Sequence, residues 1–108
     1  MLRATANSLA NNFLTKTTDY TFTVNDSIVY VNCASGNVTI TLPLANIHGT
    51  TQSWRLTVKR VDSSANVLTV NTSGTDTIDG ATSTTISALA AKDFASNGIN
   101  PAGDWKVI

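Results

Sequence analysis

Two hydrophobic periods divide the chain. Over the first 15 residues Leu2, Ala6, Leu9 and Phe13 recur at spacings of 4, 3 and 4, the seam of a short heptad. A helix there is amphipathic but marginal alone, because it is short and carries Asn7, Asn11 and Asn12, which are poor helix formers. Residues 1–18 are therefore expected as an N-terminal segment, either a helical stem held by partner chains or a flexible tail, with Leu2, Ala6, Leu9 and Phe13 as the contacts between chains.

From Asp19 the period becomes two, which puts alternate side chains on opposite faces of a strand. Tyr20, Phe22 and Val24 alternate with Thr21 and Thr23, and Asn25-Asp26 supplies turn chemistry before "SIVYVN", a pattern that predicts a hairpin. In "NVTITLP", Val38, Ile40 and Leu42 share one face, Thr39 and Thr41 the other, and Pro43 closes the strand. In "WRLTVKRV", Trp54, Leu56 and Val58 are expected inward and Arg55, Thr57 and Lys59 outward, with the phase breaking at Arg60-Val61. "DSSAN" then reads as a hairpin loop leading into "VLTVN", and "TIDG", "TTISA", "KDFASN" and "DWKVI" read as further short strands. Eight or nine such strands over residues 19–108 predict an all-β domain, an antiparallel β-sandwich or jelly-roll-like fold, and argue against βαβ units.

Composition agrees with strands. The 108 residues include 18 Thr, 11 Asn and 10 Ser, and all seven acidic residues are Asp. Seven basic residues balance them, so no net field draws nucleic acid or an anionic membrane, and neither is expected as a partner. No run reaches the ~18 apolar residues of a membrane span. The single Cys33 follows an alternating run and reads as a small buried apolar residue, not a nucleophile.

Candidate chemistry is sparse. Asn71, Asp76 and Asp79 in "VLTVNTSGTDTIDG" form an oxygen-rich set, but three ligands fall short of the six to eight that calcium takes. Asp79-Gly80 is instead a preferred pair for a two-residue turn in which both residues need positive φ. His48 beside Gly49 reads as a loop histidine, and neither a nucleophile elbow nor a phosphate-cradling glycine loop occurs. Trp54 and Trp105 have the residue type that stacks on sugar rings, yet both sit in alternating strand patterns that favour burial. No catalytic residue, metal or cofactor is expected, and the sequons at Asn25, Asn37 and Asn71 are as many as this composition produces by chance.

Together, "DYTFTVNDSIVYVN", "GNVTITLP", "LTVKRVDSSANVLTVN", "GTDTIDG" and the closing "GDWKVI" resemble a small β-domain of tail fibres and other appendage proteins of tailed bacteriophages. The resemblance covers about Asp19 to Ile108. It implies a non-enzymatic structural protein of the virion, commonly a homotrimer, presenting loops to a host-surface glycan or protein or capping a fibre. The alternatives are a capsid decoration or head-fibre protein bound to the virus shell, and a free carbohydrate-binding module.

Overall fold

The computed structural model describes residues 13–23, 25–45, 55–96 and 103–108. Among these, regular structure consists of ten short strands: β1 (Phe13–Lys16), β2 (Tyr20–Thr21), β3 (Ile28–Val31), β4 (Val38–Thr41), β5 (Arg55–Arg60), β6 (Leu68–Asn71), β7 (Thr77–Ile78), β8 (Ser83–Ile86), β9 (Ala91–Ser96) and β10 (Asp104–Val107). Six form one sheet in the order β1-β3-β5-β9-β10-β7, and four form the other in the order β2-β4-β6-β8.

From β1 to β8 the chain changes sheet at every connection. Successive strands within a sheet therefore run the same way: β1, β3 and β5 are parallel, as are β2, β4 and β6. Antiparallel pairing enters with β8, against β6, and with β9, which pairs with both β5 and β10, while β7 lies parallel to β10. The sheets are thus mixed, which corrects the antiparallel arrangement expected from the sequence. The expected hairpin around Asn25-Asp26 does not form, since β2 and β3 lie in different sheets, and "DSSAN" likewise carries the chain from one sheet to the other. Period-two alternation reports which side chains face a core, but it is silent on the direction of the neighbouring strand.

The inward positions fall where alternation places them. Val29, Val31, Leu56, Val58, Phe94 and Trp105 from the larger sheet and Val38, Ile40, Leu68, Val70 and Ile86 from the smaller belong to one buried cluster. Burying each such side chain is worth about 1.5–3 kcal/mol, so this shared cluster is the main source of stability. Arg60 continues the inward phase of Leu56 and Val58 and is buried, and the exposed Val61 keeps the outward phase, so the break expected at Arg60-Val61 does not occur.

At the N-terminal side, Phe13 lies in a strand and not in a helical seam, whereas Leu2, Ala6 and Leu9 fall outside the described residues. β1 is an edge of the larger sheet and is paired with β3 ahead of the expected domain start at residue 19. Lys16 occupies an inward phase on this edge, opposite Val31, with its ammonium 4.3 Å from the Tyr20 ring centroid. An inward-pointing charge on an edge strand discourages a further strand from adding there.

The Asp79-Gly80 turn forms as expected. Both residues have positive φ, 49° and 84°, and Ile78 and Ala81 exchange backbone hydrogen bonds across it at 2.6 and 2.9 Å.

Candidate functional site

The loops are built on Asp side chains. A short carboxylate at a chain corner can accept from backbone amides that no ladder satisfies, which is why Asp suits such places. Asp19 accepts the Thr39 amide at 2.8 Å, and Asp26 accepts the Thr23 amide at 2.9 Å and the Tyr20 hydroxyl at 2.5 Å. Asp76, buried in the loop after β6, accepts the Ala45 amide at 2.8 Å through Oδ2 and the Gly103 amide at 2.9 Å through Oδ1.

The candidate metal ligands do not converge. Both oxygens of Asp76 hold backbone, Asp79 sits on the exposed turn with Oδ2 3.4 Å from the Val107 amide, and Asn71 ends β6 on the outer face of the smaller sheet. Among the described residues no three His, Cys, Asp or Glu side chains gather.

The densest polar cluster, missed by the sequence reading, surrounds Arg60. Its Nε donates to Asp62 Oδ1 at 3.1 Å, and its terminal nitrogens donate to the carbonyls of Ile86, Ser64 and Asn66. Asp62 also accepts the Cys33 amide at 2.8 Å and the Ser64 hydroxyl at 2.6 Å. The Arg60 guanidinium, then the Ser64 hydroxyl and the Cys33 amide, hold the Asp62 carboxyl far below the usual carboxylate range, and the same pairing raises Arg60. The cluster ties the β3–β4 corner to the β5–β6 corner. Its signal was the inward phase of Arg60 followed at once by a run of short polar side chains.

The remaining candidates are separate. Cys33 is fully buried, and burial pushes its thiol up, the opposite of what a nucleophile needs. Trp105 is fully buried in the core, while Trp54 and His48 lie outside the described residues. Arg55 pairs with Asp93 at 3.6 Å, and Lys59 donates to the Leu89 carbonyl. The exposed Phe13 ring rests against Tyr30 with centroids 5.7 Å apart. A hollow of about 290 Å³ is lined, among the described residues, by Ser27, Ile28, Arg55 and Thr57.

The two outer faces differ sharply in charge. The outward positions of the larger sheet's strands carry Arg55, Lys59, Asp93, Asp104 and Lys106, whereas the strands of the smaller sheet carry no charged residue. The smaller sheet's outward positions align in two rows, Thr21-Thr41-Asn71-Ser83 and Thr39-Thr69-Thr85. With strands ~4.8 Å apart and alternate residues ~6.7 Å apart along each, the rows make a regular lattice of hydroxyl and methyl groups. None of these seven side chains hydrogen-bonds to another described residue. The hydroxyls of Thr23, Thr57, Ser64, Thr72, Ser73, Thr77 and Thr84, by contrast, are all engaged.

Neither family models, nor curated proteins, nor solved structures yield a match to this chain.

Proposed function

We propose that this chain is a non-enzymatic structural protein of a bacteriophage virion, a homotrimeric tail-fibre tip or host-contacting appendage. One observation carries the non-enzymatic part: all seven carboxylates of the chain hold groups of the chain itself. Asp19, Asp26, Asp62, Asp76 and Asp79 face backbone amides, Asp93 accepts from Thr57, and Asp104 accepts from Thr77 and pairs with Lys106. Each carboxylate thus has a part in holding the chain together, which supports a structural reading of these residues. The virion assignment rests on the sequence resemblance over residues 19–108.

In this reading the two mixed sheets are the layers of a β-sandwich closed on the shared core. A jelly roll fits less well, because its Greek keys are built from antiparallel neighbours and the first three strands of each sheet here run in parallel. The test is to incubate labelled protein with intact cells of the bacterium that supports the phage and, separately, with empty capsids. Retention on cells is the expected result. Retention on capsids alone moves the module to the virus shell, and retention on neither contradicts both placements.

A further inference from the structure

We propose that the outer face of the six-stranded sheet carries a binding site for a neutral glycan, formed by the Phe13 ring and the hollow lined by Ile28 and Thr57. The inference rests on the reading of the chain as a host-contacting module and names the chemistry of that contact.

The registers set Phe13, Ile28, Thr57 and Asp93 in one row across β1, β3, β5 and β9. The row changes character along its length. At the β1 end the Phe13 residue is 63% exposed, and Tyr30 in the adjoining row supports its ring from one side, with centroids 5.7 Å apart and planes tilted by 56°. At the β9 end Thr57 Oγ1 donates to Asp93 Oδ1 at 2.7 Å, and Arg55 pairs with Asp93 Oδ2 at 3.6 Å. The two middle members, Ile28 and Thr57, line the hollow of about 290 Å³ together with Ser27 and Arg55. That volume stands at the small end of the ~300–1,000 Å³ typical of ligand sites.

A sugar ring has the same divided chemistry, with C–H groups on its faces and hydroxyls around its rim. Its C–H face packs on an exposed aromatic ring, here flanked by the apolar Ile28. Its rim needs donors and acceptors that are already held in place. Arg55 supplies donors, and the Thr57 oxygen, whose proton goes to Asp93, supplies an acceptor. The Ser27 hydroxyl, which bonds to no other described residue, serves as either. Arg55 and Asp93 cancel in charge, so the set suits an uncharged ring. An ordinary solvated strand face offers such polar groups without the ring beside them.

The experiment is biolayer interferometry of the full chain on immobilised polysaccharide, stripped of lipid and protein, from the cells that retain the labelled protein. Wild-type binding is expected, and ~0.5 M salt should change it little because no net charge is engaged. Phe13→Ala and Arg55→Ala should each raise the dissociation constant by about tenfold or more, and Phe13→Trp should keep binding near wild type. Thr69→Ala on the opposite sheet is the control, and a cooperative melt checks that each variant folds. Undiminished binding by folded Phe13→Ala and Arg55→Ala overturns the site but leaves host contact standing. Cells that retain the chain while their polysaccharide does not overturn the glycan, and binding abolished by salt overturns its neutral class. A lower particle mass for Phe13→Ala than for wild type in light scattering makes the ring a contact between chains and also overturns the site. A chain retained on no cells overturns this inference together with the host-contacting reading.

Discussion

The Gly103 amide donates to the buried Asp76 carboxylate at 2.9 Å, so the residue ahead of the last strand is held by the loop that follows β6. The other oxygen of the same carboxylate accepts the Ala45 amide at 2.8 Å, which brings a third stretch of chain to that point. In this fold, where the connections from β1 to β8 all cross between sheets, loops meet loops from distant parts of the sequence, and a carboxylate with two acceptor oxygens joins them here.

Asp76→Asn should therefore destabilise the domain although it changes little in size. The new amide nitrogen would face a backbone N–H, leaving two donors opposed in a buried place, at a cost of about 1–3 kcal/mol. Urea unfolding should show a lower midpoint with an unchanged slope. A midpoint equal to wild type would mean that water already satisfies one of these amides.

Ile40→Asp and Thr41→Asp, adjacent on β4, should behave oppositely. Ile40 is fully buried between Tyr20 and Val70, and a carboxylate there costs several kcal/mol against the ~5–15 of a typical domain. Thr41 faces outward, so its variant should give a folded chain by circular dichroism while Ile40→Asp does not.

Acid should weaken the fold through the Arg60 cluster. Because pairing with Arg60 lowers the Asp62 carboxyl in the folded state, its contribution is complete above the unfolded value of about 4 and is lost as pH falls from there toward the folded value. Asp104, lowered by its contact with Lys106, acts with the same sign. The melting temperature should hold near neutrality and drop below about pH 4. Arg60→Met should be less stable at pH 7 and show a shallower acid decline; an identical acid profile would remove the ion pair from the explanation.

Leu89 stands at φ 60°, with its side chain 58% exposed in the turn between β8 and β9. A left-handed conformation strains a Leu by roughly 1–2 kcal/mol and a Gly hardly at all, while Gly adds entropy to the unfolded chain. Leu89→Gly should raise stability by a net of about 0.5–1 kcal/mol in a denaturant titration. A loss would show that the exposed side chain packs on something in solution.

The sequence disclosed the faces of the strands better than their connections. Val38, Ile40 and Leu42, then Leu56 and Val58, and finally Trp105 are buried where alternation puts them, because a half-covered strand shows its core side as every second residue. Asp79-Gly80 was legible because its backbone demands residues that tolerate positive φ. Strand direction was not, since Asn25-Asp26 and Asp62 to Asn66 carry the same turn-forming residues whether the chain reverses within a sheet or crosses to another. Arg60 was hidden by its charge, which reads as exposed until the acceptors around it are seen. The lattice of the smaller sheet needed the registers, because Thr21, Thr41, Asn71 and Ser83 are far apart in sequence and align only through pairing.

Light scattering on the purified chain tests the central claim, self-assembly into a trimeric structural unit, most directly. The account predicts a concentration-stable particle of three times the 11.4 kDa chain mass. A monodisperse species at the single-chain mass throughout the micromolar range would contradict it.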